Sequence, residues 1–159
     1  LLTAQFAIAM GAEVHMIGRN VSTLSLARTL GVYSAMQELE EVEGGFDAII
    51  DATNSKDVPA MALSAVEPGG RLVYIGVSGE PSMIDSRALV LNDVSAVGIL
   101  SASPGLEGAI SFYAKGTVDP RPIVAATVGL ADTADVLAGK RLIGAGIGPK
   151  VHIDPRASQ

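Results

Sequence analysis

Four short segments collect the residue types that let a ligand come close to a main chain: Gly18-Arg19-Asn20, Ala52-Thr53-Asn54, Gly76-Val77-Ser78 and Ser101-Ala102-Ser103. Each follows an apolar run, and each is small, polar or glycine-rich. Small side chains admit the rings and backbone of a ligand, and glycine removes the Cβ altogether. One such turn says little, because strand-to-helix turns are often small. Four of them at the ends of four strands describe a groove. Asp51 closes one of the runs. A carboxylate there either does chemistry or accepts hydrogen bonds from nearby backbone N–H groups, and the end of a buried strand favours the second role.

Other chemistries are excluded or unsupported. The chain has no cysteine, which removes disulfides, Cys-zinc sites, iron–sulfur clusters and thiol nucleophiles. Its two histidines, His15 and His152, lie far apart on apolar segments with no paired carboxylate motif, so no metal ligand and no catalytic residue is assigned. Gly144-Ala145-Gly146-Ile147-Gly148 resembles a phosphate-binding fingerprint in composition only. It precedes a strand instead of following one, so a flexible connection is expected. Glu38, Glu40, Glu41 and Glu43 read as a solvated face.

The whole composition agrees with a globular domain. The 159 residues give room for one core. Lys and Arg number 11 against 17 Asp and Glu, a formal charge of −6, which argues against nucleic acid and against a basic membrane-surface module. Apolar residues at 48% and charged ones at 18% exclude a disordered tail. No apolar run approaches the roughly 18 residues of a membrane span.

The elements that would position the four turns alternate along the chain. A helix is expected over Leu1–Met10, stopped by Gly11, then a strand over Glu13–Ile17. Ser22 is placed to cap a helix through Leu30, with Gly31 as its stop. Tyr33–Met36 is a weak strand and Phe46–Ala52 a buried one. Asp57 is placed to cap a helix to Val66, Pro68-Gly69-Gly70 reads as a turn, and Arg71–Ile75 as a continuous apolar strand. A short helix at Ser86–Leu91, a strand at Ser95–Leu100 and a helix at Pro104–Lys115 follow. Ile123–Val128 is extended, Thr133–Ala138 a short helix, and Lys150–Ile153 the last strand. Strands alternating with helices predict an α/β fold with a doubly wound parallel sheet, Rossmann-like. Ligands bind such a sheet outside the carboxyl ends of its strands.

The order and spacing of Phe6–Gly11, Glu13–Asn20, Leu24–Gly31, Phe46–Thr53, Glu67–Val77, Ala88–Leu100 and Lys150–Ile153 resemble the coenzyme domain of the medium-chain dehydrogenase/reductase family, the zinc-type alcohol dehydrogenases. The resemblance covers essentially the whole chain. It implies that residues 1–159 are part of a dinucleotide-binding domain whose first strand, glycine-rich turn and N-terminal catalytic domain precede Leu1. The first strand is central in this topology, so a gap in the sheet is expected, and residues 1–159 alone are not expected to be stable or active.

The resemblance also assigns residues. NAD-binding members place an acidic residue at the end of the second strand, for the adenosine ribose hydroxyls; here that position is Gly18. Glycine leaves room for a 2′-phosphate, Arg19 can form charge-assisted bonds to it, and Asn20 can add a donor. NADP(H) is therefore expected in preference to NAD(H). Ala52 and Thr53 match residues near the adenine-side ribose and the cofactor backbone. Gly76 and Val77 match backbone contacts near the nicotinamide, Leu100 and Ser101 the strand end at the carboxamide, and Lys150 a basic residue at the pyrophosphate. The implied reaction is hydride transfer between NADP(H) and a small-molecule alcohol or carbonyl substrate. Zinc, in members that use it, would be held by the N-terminal domain.

Two other classes share this pattern. Phe46–Asp51 and Glu67–Val73 also look like the middle strands of an S-adenosylmethionine-dependent methyltransferase, but that class too wants an acidic residue where Gly18 stands. A non-catalytic nucleotide-binding module is the third reading. None of Tyr33, Tyr74 and Tyr113 has a lysine four residues on, so the Tyr–Lys pair of the short-chain dehydrogenases is absent. The family implies edge-strand pairing into a homodimer or higher homo-oligomer, for which Ser95–Leu100 is apolar enough. A cytoplasmic location is expected.

Overall fold

Every strand pairing among the described residues is parallel. The computed structural model describes residues 1–38, 45–100, 104–140, 142 and 144–157. Strand β1 (His15–Ile17) pairs with β2 (Ser34–Met36). β3 (Phe46–Asp51), β4 (Val66–Tyr74) and β5 (Ser95–Gly98) form a ladder in that order. β6 (Val124–Val128) pairs with β7 (Lys150–Ile153). The helices between them are α1 (Leu2–Ala9), α2 (Val21–Thr29), α3 (Val58–Ala65), α4 (Ser86–Leu91), α5 (Leu106–Ala114) and α6 (Thr133–Leu137). Parallel strands joined through helices are the Rossmann-like α/β arrangement that the sequence predicts. Among the described residues the strands form three separate ladders.

The chain divides into two compact units, Leu1–Glu41 with Glu107–Gln159, and Val42–Leu106. In the first, Leu24 and Ala27 of α2 pack with Val32 and Ala35, and Ala4, Ile8, Val14 and Met16 cover them. The spacing of Leu24 and Ala27 puts both on one helical face. Phe6 of α1 meets Phe112 and Tyr113 edge-on, with ring centroids 5.6 and 5.5 Å apart. In the second unit, Ala62 and Leu63 of α3 pack with Val66 and the fully buried Leu72 of β4. Ile49, Tyr74, Ala88, Leu89 and Val94 surround this cluster.

Helix ends follow local chemistry. After α2, Gly31 takes a left-handed φ of +93°. Its N–H donates to the Arg28 carbonyl and that of Val32 to the Ala27 carbonyl, a Schellman stop. The start of α2 differs from the sequence expectation. Asn20, not Ser22, is the N-cap: it is extended, and its Oδ1 accepts from the Thr23 N–H at 2.9 Å. The acceptor must come three residues before the N–H it caps, and Asn20 holds that position. Asp57 does precede α3, but its side chain makes no capping bond.

Pro68-Gly69-Gly70, read as a turn, lies inside β4. The register against β3 jumps from Phe46↔Val66 to Ala48↔Arg71, so these residues form an irregular bulge within the strand. Gly70 is needed there, since a β-carbon would fall 2.7 Å from the Glu67 carbonyl oxygen. β5 ends at Gly98 and α5 starts at Leu106, both shorter than the sequence suggests.

Candidate functional site

The β1 exit is built by three contacts. Gly18 N–H donates to the Met36 carbonyl at 3.1 Å, extending the β1–β2 ladder by one bond. Gln37 Nε2 donates to the Arg19 carbonyl at 3.2 Å. Asn20 commits its amide oxygen to capping α2, which leaves its NH₂ as the donating group. The Arg19 side chain is exposed. A β-carbon at position 18 would meet only Leu24 Cδ2, at 3.6 Å, and φ there is not left-handed. The backbone therefore does not require glycine at this corner. Gln37 was not identified from sequence. It reads as the start of an acidic surface stretch, and only the β2–β1 register shows that its amide reaches the Arg19 turn.

The β3 and β4 exits are held more tightly. Asp51, only 5% exposed, ends β3. Its Oδ1 accepts from the Thr53 N–H at 2.8 Å. Its main-chain carbonyl accepts from the N–H groups of Ile75 and Gly76, at 2.9 and 3.0 Å. Thr53 Oγ1 accepts from Ser55 N–H and Ser55 Oγ from Asp57 N–H, both at 3.2 Å, so local side-chain bonds shape the chain into α3. Gly76 lies directly against Thr53: a β-carbon there would overlap the Thr53 carbonyl oxygen and sit 2.6 Å from its nitrogen. The Ile99 N–H donates to the Tyr74 carbonyl at 2.9 Å, tying the β5 exit to the same edge.

Beside these turns lies a pocket of about 200 Å³, lined chiefly by Asp51, Thr53, Ser55, Tyr74, Gly76 and Ser78. Tyr74 donates from its hydroxyl to the Pro59 carbonyl at 3.5 Å. Burial, and then the charge of Asp51, hold its phenol above the ordinary tyrosine value. Pro59 and Ile84 add apolar walls to the pocket, and the N–H groups of Thr53 and Gly76 are already given to Asp51, so the hydroxyls of Thr53, Ser55 and Ser78 are its polar groups toward a ligand.

The structure thus brings Thr53 and Gly76 together in one unit, with Ala52 and Val77 exposed beside them. Leu100, 87% exposed, follows β5. Ser101 lies outside the described residues. Gly18, Arg19 and Asn20 belong to the other unit. Lys150 opens β7, exposed and at the beginning of its strand instead of at an exit. His15 is engaged at both ring nitrogens, Nδ1 with Ser34 Oγ at 2.7 Å and Nε2 with Glu13 at 3.1 Å. Gly146 N–H donates to the Ala125 carbonyl at 2.8 Å, so part of the glycine-rich segment is laid along β6. An open groove of about 640 Å³ at Thr127 and Val151–Arg156 lies at the β7 exit and contains none of the residues expected to bind the cofactor. Glu38 is exposed, while Glu40, Glu41 and Glu43 lie outside the described residues.

The described residues contain no group of three or more His, Asp or Glu that could hold a metal, and the sequence has no cysteine. They do not fit a zinc centre. No described helix is long and apolar enough to cross a membrane.

Residues 1–115 match the sequence profile of the zinc-binding dehydrogenases. The chain belongs to the zinc-binding dehydrogenase family. It is 36% identical over 76 residues to a protein of Mycobacterium tuberculosis (strain CDC 1551 / Oshkosh) named "Probable alcohol dehydrogenase AdhA", a match covering 48% of this chain and 22% of that one. A Sinorhizobium meliloti 1021 protein named for the zinc-binding dehydrogenases, solved with NADP, superimposes with a TM-score of 0.83 at 20% identity. That match covers 96% of this chain and 48% of the other. The short chain alcohol dehydrogenase (rspB) of E. coli CFT073, complexed with NADH, gives 0.77 at 19% identity, covering 85% and 43%. The structural likeness shows the shared Rossmann-like fold. This chain spans less than half the length of these family relatives.

Proposed function

We propose that residues 1–159 form part of the dinucleotide-binding domain of an alcohol dehydrogenase/reductase, and that the nucleotide is NADP(H). The observation that carries the cofactor choice is the β1 exit. Gly18 there is not demanded by the backbone, its β-carbon would make only an ordinary contact with Leu24 at 3.6 Å, and the exposed Arg19 is next to it. A carboxylate at 18 would repel a 2′-phosphate; an open corner beside a guanidinium accepts one.

When bound, the nicotinamide accepts or donates the hydride exchanged with an alcohol or carbonyl carbon. The chain's own residues bind and orient. Arg19 and the Asn20 NH₂ group take the 2′-phosphate. Ala52 and Thr53 support the adenine-side ribose and cofactor backbone, and Gly76 and Val77 present main chain near the nicotinamide. Leu100 and Ser101 take the carboxamide end; Lys150, at the start of β7, is at the wrong end of its strand for the pyrophosphate role that the family resemblance gives it. The reading is supported by the flush packing of Gly76 on Thr53, which sets the β3 and β4 exits side by side. Zinc needs ligands other than the described residues, and no step of this reading passes through it. In the assembled protein the open side of β5, whose four residues are all exposed, would pair subunits into a homodimer or larger homo-oligomer in the cytoplasm.

The test is titration of the full-length protein with NADPH and NADH, followed by nicotinamide fluorescence. NADPH is expected to bind more tightly, and Gly18→Asp to reverse the order while the protein stays folded. Tighter NADH binding by the unaltered protein sinks the cofactor choice. Binding of S-adenosylmethionine with no response to either nucleotide would turn the reading to a methyltransferase. Nucleotide binding without turnover of any alcohol or carbonyl would leave a sensing module.

A further inference from the structure

We infer that Asp51 is a positioning residue for the coenzyme: its carboxylate fixes the Ala52–Thr53 turn and its main-chain carbonyl fixes the Ile75–Gly76 turn, so one buried residue sets the spacing of two segments. The inference rests on the cofactor reading above, and assigns a role to a residue outside the contact set.

A carboxylate 5% exposed is costly unless it is hydrogen-bonded. Asp51 is satisfied locally, by the N–H two residues on, at 2.8 Å. That bond ties the Thr53 N–H to the last residue of β3 and so fixes the main chain at Ala52 and Thr53. The same residue's carbonyl takes the N–H groups of both Ile75 and Gly76, which holds the end of β4 level with the end of β3. A β-carbon at 76 would collide with the Thr53 main chain, so the two segments lie in close contact. Neither bond uses a ligand. Both decide where the ligand-facing main chain stands, and a small misplacement of such groups is enough to lose binding and rate.

The experiment compares Asp51→Ala and Asp51→Asn in the full-length protein, reading NADPH and NADH affinity, the thermal midpoint, and kcat against KM. Asp51→Asn keeps a carbonyl oxygen at the reach of the Thr53 N–H; Asp51→Ala removes it. Asp51→Ala is expected to weaken both nucleotides by about tenfold, the worth of one hydrogen bond to a charged acceptor. Asp51→Asn is expected to stay within about threefold of the unaltered protein. The ratio of NADPH to NADH affinity should be unchanged in both, because it is set at Gly18 and Arg19.

A folded Asp51→Ala protein that binds as the unaltered one does overturns the inference alone. So does an Asp51→Asn protein as weak as Asp51→Ala, which would make the charge, and not the placed acceptor, the cause. If Asp51→Ala does not fold, Gly76→Ala decides: it leaves Asp51 intact and forces the two turns apart, and normal binding by that variant overturns the proposal. Unaltered protein that holds neither nucleotide defeats the cofactor reading and this inference with it.

Discussion

Gly76 and Thr53 are packed so closely that the β-carbon of any other residue at 76 would share space with the Thr53 carbonyl oxygen. The reason is local, not conformational: Gly76 is absent from the left-handed glycines. What excludes a side chain is the neighbouring strand exit, held in place by the two bonds from the Asp51 carbonyl to Ile75 and Gly76.

Gly76→Ala is therefore expected to cost about 1–3 kcal/mol, as overpacking against backbone does. For a chain of this size that lowers the thermal midpoint by roughly 2–4 °C per kcal/mol. Gly79→Ala is the matched control. Its β-carbon position is open and its φ is not left-handed, so stability should stay within about 0.5 kcal/mol or rise slightly. Equal effects of the two substitutions in a thermal melt would show that the Thr53 contact is not rigid.

Much of this site was legible in the sequence, and the unread parts have physical causes. Strand exits are announced by an apolar run ending in small residues, so Ala52-Thr53 and Gly76-Val77 could be placed from the chain alone. The family match through residue 115 and the parallel ladders agree with the family and fold class expected from the sequence. The capping by Asn20 was missed because Ser22 is an equally good capping type, and only the extended backbone at Asn20 decides between them. Pro68-Gly69-Gly70 has turn composition, yet the β3 ladder absorbs it as a bulge. Pairing across strands overrides local propensity there. Gln37 and the dual role of Asp51 depend on contacts between residues 18 and 25 positions apart, which no local pattern encodes.

Tyr74 gives a pH prediction. Its phenol is held above the ordinary value of 10.0, first by burial and then by the Asp51 charge. The unfolded chain ionises this residue first as pH rises, so its contribution to stability is full below pH about 10 and declines above it. In an alkaline titration followed by phenolate absorbance, Tyr74→Phe should remove a late-ionising component. Asp51→Asn should bring that component to lower pH but not to the ordinary value, because burial remains. A Tyr74→Phe protein with the same late component would refute the assignment.

Arg19 should discriminate between the two pyridine nucleotides. Arg19→Gln is expected to weaken NADPH by about tenfold, through loss of a charge-assisted bond, while NADH changes little. Raising salt should reproduce part of the loss for NADPH in the unaltered protein, since an exposed pair is screened. Asn20→Ala is a useful second variant. Loss of the cap should cost about 1 kcal/mol of stability, and loss of the NH₂ donor should weaken NADPH more than NADH. Equal losses for both nucleotides in Arg19→Gln would place Arg19 elsewhere than at the 2′-phosphate.

The three separate ladders predict how a polypeptide of residues 1–159 alone behaves. β3 lies at one edge of its three-stranded ladder with Ile50 45% exposed. β5 lies at the other edge and is exposed throughout. Val90, Leu91 and Leu100 are at least 75% exposed in the same unit. Apolar area of this extent facing water favours association and local opening. The isolated polypeptide is therefore expected to bind a hydrophobic dye, to exchange its β3 amides quickly, and to melt without a sharp transition. The buried cluster around Leu72 should be the slowest to exchange, because that side chain is 0% exposed. A single cooperative melt with uniformly protected strands would show that these residues close their own core.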